Sequence, residues 1–205
     1  AHQLVAADAQ LRRMLAGSSP AIHPRLEYSQ LPPGLKAKIQ DRFGFYQRYA
    51  AMIDGREPGT RRGVYDAAQD IVTMFREATT PDGKAWIYSL DFRPRPGGDS
   101  IVRFLDTRTK DAERFGHCEY FASAMCLLLR CYGVPARVVA GFTADRPDLD
   151  GAFDVRASAA HAWVEVYFEN FGWLTFDPTP PEDSNARPPD PEPELEPEPQ
   201  PEPEP

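Results

Sequence analysis

A chain of 205 residues with 41% apolar side chains is long enough to bury one substantial core, and it contains no run of about 18 uncharged apolar residues that could cross a bilayer. The net charge of -8 lies at one end: carboxylates at 182, 183, 190, 192, 194, 196, 198, 202 and 204 face Arg187 alone, leaving 22 charges of each sign in residues 1–181. A balanced body has no electrostatic footprint for nucleic acid and an acidic end repels it, so nucleic acid is excluded as a partner.

In chain order, residues 3–15 are predicted as a helix, and "LPP" at 31–33 starts a second over 34–52, with Leu35, Ile39, Phe43 and Tyr46 at helical spacing. The initial "AHQLVAADAQLRRMLAG" lacks the basic and apolar regions of a signal peptide, and an initial Ala suits a piece cut from a longer protein. "GREPGTRRG" at 55–63 reads as a loop. A helix over about 64–78 follows, with Ala68, Ile71, Val72 and Phe75 on one face. "AWIYSLDF" alternates Trp86, Tyr88, Leu90 and Phe92 and predicts a half-buried strand. Asp99 or Ser100 can then N-cap a short helix carrying Ile101, Val102, Phe104 and Leu105.

From Glu119 to Tyr132 nearly every face is apolar, which predicts a helix buried in the middle of the domain; Gly133 and Pro135 end it. Cys118 therefore stands at a helix N-terminus. Free backbone N–H groups and the positive end of the helix dipole there favour a thiolate, which is expected to lower the thiol pKa, and the same N–H groups suit an oxyanion. Gly116 is expected to leave room beside the sulfur for a substrate carbonyl. Cys126 and Cys131 lie inside the helix about 140° apart and read as core sulfurs that do not pair.

"PARVVAGF" at 135–142, "HAWVEVYF" at 161–168 and "GWLTFDPTP" from 172 are β-rich, the last two forming a hairpin. Directly opposed residues share a sheet face. A three-residue loop of Glu169, Asn170 and Phe171, closed by Phe168 against Gly172, puts His161 and Asp177 on one face, with Asp177 opposite Trp163 and diagonal to the histidine. A two- or four-residue loop would split them. Cys at a helix start, His at a strand start and Asp on the neighbouring strand have the logic of a nucleophile, base and orienting triad.

The three segments "GHCEYFASAMCLLLRCYGVPARVVAGF", "VRASAAHAWVEVYF" and "GWLTFDPTP" resemble, as an ordered set over about residues 85–181, the transglutaminase-like superfamily. The resemblance implies an α+β fold with a papain-like core, Cys118 as nucleophile, His161 as base and acid, and Asp177 as the group that orients the imidazole. It also implies acyl transfer on a protein or peptide glutamine or related amide, with an amine or water as acceptor. Trp86, the only Trp before Cys118, is the candidate second oxyanion donor. Proteases and amidases share this triad. A non-catalytic peptide-binding module that kept the fold is the alternative.

No cofactor is expected. "DRPDLDGAFD" at 145–154 lacks the spacing of a calcium loop and reads as a mobile loop beside the site, and His117, Cys118, His161 and Asp177 do not suit zinc. The division expected is an N-terminal helical region at 1–84, the catalytic core at 85–181, and a disordered Pro/Glu-rich spacer at 182–205. "LEYSQLPPGL" at 26–35 is similar to the lead-in of bacterial members whose extracytoplasmic core lies between membrane segments. By that resemblance the parent protein is membrane-anchored and this domain is periplasmic or on the outer face.

Overall fold

The computed structural model describes residues 26–55, 61–77, 84–110, 112–143 and 155–181; the expected helix at 3–15, the 145–154 loop and the 182–205 spacer lie outside the described residues. The described elements are helices α1 (Leu35–Arg42), α2 (Tyr46–Gly55) and α3 (Arg61–Arg76), strand β1 (Ile87–Tyr88), helix α4 (Ser100–Leu105), strand β2 (Phe115–Gly116), helix α5 (Cys118–Cys131), and strands β3 (Ala136–Phe142), β4 (Ala160–Phe168) and β5 (Gly172–Phe176). This is an α+β arrangement. β3, β4 and β5 form an antiparallel sheet with β4 in the middle, and β1 pairs with β2 in parallel.

Helix α5 is the centre of the core. Phe121, Ala122, Ala124, Met125, Leu128 and Leu129 are fully buried, and they share one cluster with Ile39, Phe43, Ile71 and Phe75 of the preceding helical segments and with Ala162, Val164 and Val166 of β4. The helix ends as its sequence dictates, with Gly133 at φ 78°. From Ala162 to Phe168 the even residues of β4 are buried and the odd ones are not, so the sheet turns one face to α5 and leaves His161, Trp163, Glu165 and Tyr167 on the other.

Three local expectations need correction. The helix expected over 34–52 is two helices: Phe43 is extended, and the Gly44 N–H donates to the Thr107 hydroxyl at 2.7 Å instead of continuing the helical ladder. The loop expected through 63 ends earlier, since α3 begins at Arg61. The alternation of 86–92 yields only the two-residue strand β1, because its partner is equally short: Ile87 and Ser89 donate to the Arg114 and Gly116 carbonyls at 2.7 and 2.9 Å. That pairing holds the residues leading into Cys118. Helix α4 has the expected cap, Asp99, whose side chain accepts from the Val102 N–H.

A buried carboxylate secures this lead-in from the other side. Asp106 accepts from the backbone N–H groups of Arg108 and Thr109 at 2.8 and 2.9 Å, from the Thr109 hydroxyl and from the Arg42 guanidinium, while its carbonyl accepts from Arg114 Nε. Burial pushes its pKa up, but the Thr109, Arg108 and Arg42 donors outweigh burial and hold it below the usual carboxylate value. A lowered folded-state pKa means stability is fully present above ~3.9 and drains away as pH falls toward the folded value. Asp106→Ala is expected to cost about 2 kcal/mol, and Asp106→Asn to flatten the acid limb of a pH series of chemical denaturation. A stability-versus-pH curve unchanged by Asp106→Asn would contradict this.

Candidate active site

The first residue of α5 is Cys118, preceded by His117 in extended conformation as the N-cap. Because α5 lies against the buried face of β4, its N-terminus meets the start of that strand, and the backbone N–H groups of Ala162 and Glu119 act on the Cys118 thiol to favour its charged form. Burial nonetheless dominates and pushes the Cys118 thiol up; those two N–H groups pull it back only in part, and the Glu119 and Asp177 carboxylates add to the rise. This reverses the direction expected from the helix end. The helix does not open into water but onto packed strand, so the anion loses more hydration than the N–H groups return. Removal of its proton therefore calls for a base.

Gly116 also has a different purpose from the one expected. A Cβ there would lie 2.6 Å from Cβ and Cγ of Tyr120, so the space is filled by the Tyr120 ring and is not available to a substrate. The Cys118 backbone N–H, first in the helix, has no acceptor among the described residues, as first-turn donors have none within the helix.

The hairpin has the register that pairing parity requires. Phe168 opposes Gly172 and Val164 opposes Phe176, with positive φ at Asn170 within the three-residue connection and at Gly172, which closes it. His161, second residue of β4, and Asp177, immediately beyond β5, are thereby brought together: Nε2 of His161 lies 2.8 Å from Oδ2 of Asp177. The other carboxylate oxygen, Oδ1, accepts from the Thr179 N–H at 3.0 Å, so both oxygens are fixed. A carboxylate only accepts, so Nε2 carries the proton and the Nδ1 lone pair is left as the base. The imidazole is mostly shielded, its side chain 18% exposed.

Trp86 stands elsewhere. It is 1% exposed, its indole N–H donates to the Phe104 carbonyl at 2.7 Å, and Arg114 lies over its ring. A donor already committed to a buried carbonyl is not free for an oxyanion, which corrects the expectation placed on this residue. Trp86→Phe should therefore lower stability by about 1–2 kcal/mol, through the unpaired Phe104 carbonyl, without lowering turnover. Melting and turnover measured on one preparation check it; lost turnover at unchanged stability would return Trp86 to the site.

Sequence reasoning did not identify the backbone donors from Ala162 and Thr179. Thr179 carried a signal, since it lies between Pro178 and Pro180, which restrict the backbone that presents its N–H. Ala162 carried none, because a backbone donor leaves no mark on residue type.

Known proteins are similar to this chain. The family model described as the transglutaminase-like superfamily matches residues 56–178, a stretch that runs from before α3 to just beyond Asp177. The Bacillus subtilis uncharacterized protein YebA is 33% identical over 153 residues, covering 69% of this chain and 20% of that protein. A Pseudomonas aeruginosa protein-glutamine gamma-glutamyltransferase is 42% identical over 88 residues, covering 42% of this chain and 12% of the relative. The crystal structure of the periplasmic domain of TgpA from Pseudomonas aeruginosa superposes with a TM-score of 0.54 at 27% identity, over 78% of this chain and 48% of that one. The chain thus spans a fifth or less of these two curated relatives. With more than half of its residues in the family match, and with a cysteine-headed helix set against a His–Asp hairpin, the chain belongs to the transglutaminase-like superfamily.

Proposed function

We propose that this domain transfers the acyl group of a protein or peptide glutamine, or of a related amide, through a thioester on Cys118. The observation that carries this reading is the His161–Asp177 contact at 2.8 Å, with the Cys118 thiol at the head of α5 feeling the backbone N–H of Ala162, the residue next to that histidine. Nδ1 of His161 takes the thiol proton as Sγ attacks the carboxamide carbon, and the carbonyl oxygen becomes an oxyanion facing the Cys118 N–H. Collapse breaks the C–N bond. The imidazolium gives its proton to the departing nitrogen, ammonia leaves, and a thioester remains. An amine then attacks, His161 takes its proton, and an isopeptide bond forms as the thiol is regenerated; water in the amine's place gives a carboxylic acid.

The relatives named as glutamine gamma-glutamyltransferases support the amine route. The periplasmic neighbour supports an extracytoplasmic position in a membrane-anchored parent protein. A glutamine-bearing protein incubated with a biotinylated primary amine tests the reading, with released ammonia and incorporated label followed together. Ammonia and label that both depend on Cys118 are the expected result. Ammonia without label would make the domain a hydrolase, chain cleavage would make it a protease, and neither product would leave a peptide-binding module.

A further inference from the structure

The face of the sheet turned away from α5 carries a second feature at His161. Gly141, the last residue but one of β3, directly opposes His161 of β4 within the paired ladder, where glycine is a poor choice. No positive φ requires it. Space does: a Cβ at Gly141 would lie 2.7 Å from Cη2 and 3.3 Å from Cζ3 of Trp163. The indole of Trp163 therefore leans across β3 and lies over bare backbone at the residue paired with the histidine. Its ring is 6.3 Å from the imidazole, centroid to centroid, with only 28° between the planes.

Among the described residues the imidazole has one side-chain hydrogen-bond partner, Asp177. One bond at Nε2 leaves the ring free to swing about that contact, and a swing removes Nδ1 from the thiol. We propose that Trp163 is the positioning residue that limits this swing, and that Gly141 is the gap its ring requires. The indole forms the wall of the imidazole on the β3 side, keeps water from that side of the His161–Asp177 bond, and so strengthens the base. This assignment rests on His161 being the base of Cys118.

Iodoacetamide alkylation of Cys118 as a function of pH tests it without any substrate. Trp163→Ala is expected to slow alkylation at pH 7 by about 3- to 10-fold, by raising the midpoint by about 0.5 to 1 pH unit. Trp163→Phe should restore most of the rate. Gly141→Ala, which displaces the indole without deleting it, should act in the same direction and add nothing in the Trp163→Ala background. It also carries the test alone if Trp163→Ala does not fold by circular dichroism. His161→Ala is the reference: if it leaves alkylation unchanged, the nucleophile–base pairing fails and the positioning role with it. If His161→Ala slows alkylation while folded Trp163→Ala and Gly141→Ala match the wild type, only the positioning role is overturned.

Discussion

Replacing Cys118 by alanine is expected to leave a folded protein whose acyl-transfer turnover falls by roughly 10⁴-fold or more, on the magnitude seen when a nucleophile is removed from a triad. The other two cysteines provide the contrast. Cys126 and Cys131 are 4% and 1% exposed inside α5, and burial pushes the Cys131 thiol up to about 11. Cys126→Ala and Cys131→Ala should each cost about 1 kcal/mol of stability and leave the mechanism intact. Turnover and thermal melting on the three variants check both halves. Activity retained by Cys118→Ala would mean the nucleophile is another group.

Asp177→Asn should be the next largest effect, a loss of about 10²- to 10³-fold in turnover with little change in stability. The carboxylate now holds the proton on Nε2 of His161; an amide nitrogen turned to that position donates instead, which moves the ring proton to Nδ1 and faces it to the thiol. In an analogous serine triad this wrong tautomer lowers turnover by about 10⁴. A thiol gives up its proton more easily than a hydroxyl, so the loss here is smaller. Two opposed effects act on the alkylation midpoint. Removing the Asp177 charge relieves a direct repulsion that is the smallest of the causes raising the Cys118 pKa, and it removes the carboxylate that orients the base taking the thiol proton, the effect expected to prevail. The midpoint should therefore rise. Turnover and alkylation measured across one pH series, with circular dichroism as the folding control, decide it; a folded variant with unchanged turnover and midpoint would reduce the triad to Cys118 and His161.

The site was legible in the sequence where local rules decide the structure. The buried helix with Cys118 at its head follows from an all-round apolar run closed by Gly133 and Pro135, and the meeting of His161 with Asp177 follows from the parity of a hairpin closed at Phe168 and Gly172. The illegible features depend on distant partners. Gly44 breaks a helix because Thr107 offers an acceptor, Trp86 is withdrawn from the site because Phe104 offers another, and Gly116 serves Tyr120. The direction of the Cys118 pKa was missed for the same reason: the helix dipole is a local property, whereas the desolvation that outweighs it comes from the packing of α5 on β4. Gly141 did carry a legible sign, a glycine inside a strand, but its beneficiary two residues beyond His161 on the neighbouring strand becomes visible only in the register.

The mechanism stands on a thioester at Cys118, which can be trapped directly. The protein is mixed with a glutamine-containing peptide in the absence of added amine, quenched in acid within the first turnover, digested and mapped by mass spectrometry. The expected result is an adduct on the peptide containing Cys118 whose mass is that of the donor less one ammonia, and which disappears on treatment with hydroxylamine. Ammonia released with no such adduct at any quench time, or the same adduct on another residue and in Cys118→Ala, would contradict it.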